Sequence, residues 1–360
     1  MRTTKLEVNL KEFQKNVDKI REYVSGKEIM PVIKANGYGT YIHTRMDILE
    51  QFKIVAVALV EEGVDLRNRG YKGDIFVLNQ PSIHDLEDIS KYQLTIGLSD
   101  LTFLRTCVEK KCDFKVHLEI ETGMNRTGIF LDDLDSFIDV LLNSSLKVEG
   151  IYSHFSSADF DDTYTSMQID TFKKALDLCE KRGLAFEYVH ISASNGLLRY
   201  PLPFTNLVRP GLILYGYEPY KDSSALLPVR PICRLVSEVT FLKTVKEGSK
   251  IGYSQNYTCD IDTSVATVPI GYGDGLRRSL SNRGVVYING RKAPIIGNVC
   301  MDSIMVDVTG IRVNVGDEVV IFDDHRITLD EIAEACSTIN YEILCTIGDR
   351  VPRVFIEDKE

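Results

Sequence analysis

Over residues 10–220 short apolar runs alternate with longer amphipathic stretches, and beyond them the alternation stops. The runs include IMPVIKA (29–35), IVAVALV (54–60), IFVLN (75–79), KVHLEI (115–120), VEGIYSHF (148–155), YVHISAS (188–194) and LILYGY (212–217). Parallel strands covered on both faces read as continuous apolar runs, and helices make the crossovers between them. The stretches LKEFQKNVDKIREYV, VEEGVDLRNRG, DLTFLRTCVEKK and SMQIDTFKKALDLCEKRG have the matching helical texture. In the last of these, Met167, Phe172, Ala175, Leu176 and Cys179 recur at helical spacing and predict its buried stripe. About seven or eight such units predict a closed TIM-type (β/α)8 barrel; a doubly wound open sheet is the alternative.

After residue 220 the texture changes. RLVSEVTFLKTV, SVATVPIGY, GVVYING, RKAPIIGN, DSIMVDVTG and DEVVIFDD are short, β-branched and separated by Gly, Asn or Asp turns. They predict an antiparallel domain, with one helix at LDEIAEACST. The fold class is therefore α/β: an N-terminal barrel followed by a C-terminal, mainly-β domain. The boundary is expected in YKDSSALLP (220–228), which gives a barrel over 10–222 and a β domain over 223–360. The strand-like residues 1–9 are expected to join the second domain.

Two domains suit a chain of 360 residues. A net charge of −10 offers no general basic field, so no nucleic-acid partner is expected. A local basic pocket for one small anion stays open. The eight cysteines are scattered without zinc-ligand spacing, which predicts reduced thiols and no metal. The start, MRTTKLEVNL, has no apolar signal core, and no run approaches the ~18–20 apolar residues of a membrane helix. The expected location is cytoplasmic without membrane contact by this chain, either as a free protein or as the cytoplasmic part of a membrane-anchored one.

Active sites of parallel barrels lie at the C-terminal ends of the strands. Lys34 ends the run PVI and precedes the small-residue loop ANGYG. A lysine desolvated there is a ready Schiff-base former, whereas a solvated one is an ordinary strand exit. In HLEIETGMNRTG a strand ends in Glu119 and Glu121, and the turn after it presents Asn125 and Arg126. His154 and His190 follow apolar strands, where a satisfied core histidine is as good a reading as a catalyst. Ser192, Ser194 and Gly196 form a hydroxyl-rich turn, and Arg209 precedes a Pro-Gly turn. The β region supplies Tyr257, Tyr272, Met301 and Asp302, residue types that usually pack.

Taken in order, these blocks resemble those of the alanine racemase family, which depends on pyridoxal 5'-phosphate (PLP). PVIKANGYG resembles its cofactor-lysine motif, and ETGMNRTG, SHFSSAD, VRPGLILYG, PIGYGDG and NVCMDSIMVDVT its further motifs, from Val8 to Phe355. The resemblance implies that Lys34 carries the cofactor and, with Tyr257, exchanges the Cα proton on opposite faces of an amino acid. It implies that Tyr38, Ser194, Gly211 and Leu212 contact the phosphate and that Arg126 approaches the phenolic oxygen. Arg209, with His154 behind it, would face the ring nitrogen. It further implies a homodimer in which Tyr257, Tyr272 and Met301 reach a partner's substrate, beside Arg126 and Asp349. A tyrosine base needs cationic surroundings. The activity implied is interconversion of L- and D-alanine, serine or both, supplying D-amino acids for peptidoglycan.

Three positions depart from the family pattern. Glu119 stands where many members carry a carbamylated lysine, and a direct pair with Arg126 is expected. ASNG (193–196) replaces an NSAA-like turn. Asp349 replaces a tyrosine that crowds the substrate methyl, and is expected to face the substrate side chain. An acceptor there resembles the serine/alanine racemase domains of vancomycin-resistance membrane proteins; a lysine or ornithine racemase is a further reading. A PLP decarboxylase of the same plan is the alternative that Cys345 raises and Arg209 opposes.

Overall fold

The computed structural model describes residues 2–219 and 223–357, so residues 220–222 of the expected boundary lie outside the described residues. The first strand, β1 (Lys5–Asn9), does not belong to the barrel. It is followed by the helix Leu10–Tyr23, capped by the Asn9 side chain accepting the Glu12 N–H at 2.9 Å.

The barrel strands are β2 (Glu28–Ile29), β3 (Ile54–Val57), β4 (Asp74–Val77), β5 (Thr95–Leu98), β6 (Lys115–Glu119), β7 (Lys147–Tyr152), β8 (Tyr188–His190) and β9 (Leu207–Val208). β3 to β8 form one parallel sheet in sequence order, and β2 pairs with β9 in parallel. Single bridges, Val32 to Ala56 and Ala193 to Arg209, join these two pieces and close the ring. The closed barrel holds and the open sheet falls away.

Two expectations are corrected, one for a strand and one for a helix. LILYGY is not a strand: residues Leu212–Tyr215 form a 3-10 turn after β9. All four are buried, and a short run buried all round carries no period to tell turn from strand. The long helix Asp162–Lys181 buries Thr165, Gln168, Ile169, Phe172, Ala175 and Cys179, while Met167 is exposed. Gln168 belongs to the stripe because its amide serves buried polar atoms, donating to Thr122 Oγ1 at 3.1 Å and to the His154 carbonyl at 3.0 Å.

The C-terminal strands are β10 (Cys233–Glu238), β11 (Phe241–Val245), β12 (Lys250–Ile251), β13 (Tyr257–Thr258), β14 (Thr263–Val268), β15 (Val285–Ile288), β16 (Arg291–Pro294), β17 (Ile304–Asp307), β18 (Glu318–Phe322) and β19 (Arg353–Ile356). One sheet runs β16-β15-β18-β10-β1-β19, so β1 lies in this region, antiparallel to β10 and parallel to β19. A second runs β11-β14-β17, and β12 pairs with β13. The helix Leu329–Ala335 matches LDEIAEACST, and a second, Asn340–Cys345, follows it. Among the described residues no helix is long and apolar enough to cross a membrane.

Candidate active site

The C-terminal ends of the barrel strands surround a cavity of about 350 Å3 whose lining includes Lys34, Tyr38, Arg126, His154, Ser194, Arg209, Gly211 and Leu212. These are all the barrel residues singled out for cofactor contact. The cavity's charged lining is Lys34, Arg126 and Arg209 against Glu119 alone, a cationic hollow in a chain of net charge −10.

The turn after Lys34 is unusual. Ala35, Asn36, Gly37, Tyr38 and Gly39 all have positive φ, a left-handed turn that costs each non-glycine residue roughly 1–2 kcal/mol. Such strain persists only where the surroundings over-determine it. Here Glu62 accepts the Ala35 N–H at 2.6 Å and those of Ala58 and Leu59 at 2.7 and 3.1 Å. Arg353 donates to the Gly39 carbonyl at 2.8 Å and stacks on the Tyr41 ring. A Cβ at Gly39 would lie 2.5 Å from the Leu344 carbonyl, so the helix Asn340–Cys345 presses on the turn from the other side. Burial, then the Arg126 and Arg209 charges, lower the Lys34 pKa and make its amine easier to deprotonate.

Arg209 is 1% exposed. Its Nη1 donates to His190 Nδ1 at 2.6 Å; its Nη2 donates to the Ser153 and Ile191 carbonyls and to His154 Nδ1, at 2.8, 3.1 and 3.1 Å. Burial and the neighbouring arginines press the His154 pKa down to about 3, which keeps the ring neutral and an acceptor. Burial pushes Arg209 down only to about 10, so it stays a cation.

Glu119 corrects the expectation of a pair with Arg126. Its Oε1 accepts from the Thr127 hydroxyl at 2.8 Å, its Oε2 is buried without a hydrogen-bond partner, and among the described residues no ion pair joins it to Arg126. Burial raises its pKa against the opposing pull of Thr127 and Arg126. At the other wall Gly211 donates its N–H to Ser194 Oγ at 3.1 Å, so these two expected anion contacts partly satisfy each other. A Cβ at Gly211 would stand 2.6 Å from the Tyr38 hydroxyl, which is why the wall is bare backbone there.

The four remaining residues lie elsewhere. Tyr257 packs beside Ile251 and Met305, while Tyr272 and Met301 are 44% and 51% exposed. None of them lines the cavity. Backbone bonds from Tyr272 and Gly273 to Cys300 and Met301 set Tyr272 next to Met301, and an Asn256–Asn298–Tyr253 chain ties the Tyr257 segment to the same loop. The expected cationic surroundings of Tyr257 are not supplied by its own chain. Burial, then Asp307, Cys259 and Asp260, raise its pKa. Asp349 is exposed and accepts from the Tyr41 hydroxyl at 2.5 Å instead of facing the cavity.

Sequence reasoning did not single out Glu62, Tyr341 or Tyr152, and it read Cys345 only as a rival signal. Tyr341 and Cys345 reach the cavity from the helix Asn340–Cys345. Glu62 looks in sequence like any acid in a helix's first turn; its three N–H partners come from two loops.

A lysine-bearing, cationic mouth on a parallel barrel, beside a β domain, defines a two-domain barrel protein with a cationic cavity at its strand ends. The alanine racemase N-terminal domain family matches residues 8–219, and the C-terminal domain family matches residues 232–355. The chain belongs to the alanine racemase family. It is 38% identical to the alanine racemase of Desulforamulus reducens, over 97% of this chain and 98% of that one. Among solved structures, the alanine racemase from Bacillus anthracis with bound L-Ala-P has a TM-score of 0.94 at 32% identity, covering 99% and 96% of the two chains. That of Clostridium difficile 630 has a TM-score of 0.93 at 32% identity, covering 99% and 97%.

Proposed function

We propose that this chain interconverts L- and D-alanine with PLP held at Lys34, supplying D-alanine for peptidoglycan, and that it works as a dimer. The observation that carries this is the joint presence of Lys34, Arg126 and Arg209 in one cavity with a single opposing carboxylate. The residues fit the cofactor: an anionic phosphate and phenolate ask for cations, its aldehyde asks for a desolvated amine, and the bare Gly211 wall leaves room beside Tyr38 and Ser194. PLP, when bound, draws electrons from the amino acid's Cα and lets its proton leave.

The chain's own residues do the rest. Lys34 Nζ, its pKa already lowered, takes or gives the proton on one face. Arg209 keeps its own proton and only donates, so a cofactor ring nitrogen held against it would be kept unprotonated. Arg126 orients the anionic edge. On the other face a tyrosine hydroxyl must serve, and Tyr257 of the same chain lies outside the cavity. A second copy, placing its Tyr257, Tyr272 and Met301 over this mouth, completes the site. The cations of that mouth then supply what Tyr257's own neighbours lack.

Asp349 bears on the choice between alanine and serine. Tyr41 holds its carboxylate outside the cavity lining, out of reach of a serine hydroxyl bound there, so alanine is the reading this chain supports. Measuring kcat/KM for L-alanine and L-serine in wild type and Asp349→Tyr tests this: the serine-to-alanine ratio should stay the same, and a fall of about tenfold, the worth of one hydrogen bond, rejects it. Cys345 lines the cavity, but burial raises its thiol pKa despite Lys34, which leaves it protonated. For the main reading, the protein with PLP should exchange the Cα deuterium of L-alanine with inversion; release of carbon dioxide instead would reject it.

A further inference from the structure

Arg209 is buried, and its four hydrogen bonds all go to uncharged groups. No carboxylate is among its hydrogen-bond partners and Glu119 acts on it only across the cavity, so a buried cation of this kind gains from a further counter-charge behind it. The bonds beneath it lead to one. Arginine nitrogens only donate, so His190 Nδ1 accepts and its proton sits on Nε2. His190 Nε2 then donates to His117 Nδ1 at 2.8 Å, which places the His117 proton on its own Nε2. That atom faces Glu149 Oε2 at 3.5 Å. Both atoms are buried and neither has a hydrogen-bond partner, so each is the other's nearest complement. Glu149 Oε1 meets Lys115 Nζ at 2.6 Å, and Lys115 reaches Asp74 at 3.2 Å. Lys115 and Asp74 line a separate cavity of about 550 Å3 at the opposite mouth of the barrel.

The backbone is shaped for this chain. Along β6 and β7, Val116 pairs with Val148 and the next residue, His117, pairs with Gly150, leaving Glu149 as the extra residue of a bulge. Bulges re-aim side chains. A Cβ at Gly150 would stand 2.8 Å from the His117 ring, so the glycine makes room for the imidazole that Glu149 addresses.

We propose that Glu149 is a positioning residue for the reaction at the other mouth: through His117 and His190 it supplies a distant counter-charge, additional to Glu119, that holds Arg209 as a fixed, donor-only guanidinium. The role of Arg209 at the cofactor ring rests on the racemase reading; the one-way histidine chain does not. Hydrogen-bonded groups in a low-dielectric core polarise one another, which lets a carboxylate act across two rings.

The test uses 15N-histidine-labelled full-length protein with PLP, comparing wild type, Glu149→Gln and Glu149→Asp. The expected wild-type spectrum has His117 and His190 neutral with the proton on Nε2. In Glu149→Gln both Nε2–H proton resonances should move upfield, and kcat for alanine should fall on the order of tenfold with KM nearly unchanged. Glu149→Asp should recover part of both effects. A His117 proton on Nδ1 in wild type overturns the proposal. So does a Glu149→Gln variant with unchanged resonances, or with shifted resonances and unchanged kcat. Should Glu149→Gln not fold, the wild-type tautomers and Glu149→Asp decide. A protein with the expected tautomers but no racemase activity refutes the functional reading and leaves the chain standing.

Discussion

The barrel mouth and the Tyr257 face of the β domain are built on opposite terms. At the mouth, Lys34 stands on a left-handed turn held by Glu62, Arg353 and the helix Asn340–Cys345, and a buried Arg209 has four hydrogen bonds. On the β face, Tyr272 and Met301 project into solvent, and the neighbours of Tyr257 disfavour its ionised form. One region is finished by its own chain and the other is not. A finished half-site beside an unfinished one is the arrangement that the proposed shared site asks of a single copy.

The sharpest way to break the comparison is at Lys34. Lys34→Ala should lower racemisation by about 10^4-fold or more and abolish the visible band of the bound cofactor, as steady-state rates and absorbance will show. Tyr257→Phe should cost about 10^2–10^3-fold in kcat in both directions while the band persists. Mixing these two inactive variants should restore about a quarter of wild-type activity, because half of random dimers are mixed and each holds one intact site. No restoration would mean that each chain serves only itself.

Stability draws the same contrast. Gly39→Ala forces a side chain into positive φ against the Leu344 carbonyl, and a loss of about 1–3 kcal/mol should appear in denaturant unfolding. On the β face, Met301→Ala should change stability by less than about 0.5 kcal/mol. Acid should also loosen the barrel first. His117 and His190 are fully buried with pKa values pressed below the ordinary 6.5, chiefly by burial. Each takes up its proton on unfolding, so stability is complete above pH 6.5 and falls below it by up to about 1.4 kcal/mol per pH unit per histidine. The β domain's histidine, His325, is exposed. Hydrogen exchange below pH 6.5 should therefore accelerate in β6 and β8 before β14 and β17.

Much of this architecture was legible in the sequence because burial leaves a pattern. The runs at 54–60, 75–79 and 115–120 are strands for the reason expected, two covered faces. β9 was misplaced by a few residues because two residues carry no period, and β5 escaped because TIGL is too short to stand out. Each barrel residue expected to contact the cofactor lines the cavity because strand ends converge by topology, whereas Glu121, Asn125, His190 and Ser192 do not line it. Charge partners were less legible. Thr127 rather than Arg126 bonds Glu119, and Tyr41 bonds Asp349 across more than 300 residues. Such pairs are decided by side-chain reach in the finished fold, which no local pattern encodes.

The placement of β1 between β10 and β19 has a consequence for how the protein is made. β1 is made long before β19, yet the two are neighbours in one sheet. Arg353, the residue that grips the Lys34 turn, opens β19. A nascent chain halted before Arg353 therefore carries Lys34 on an ungripped turn, with β1 in place of β19 as the sheet edge. Activity thus depends on synthesis reaching β19.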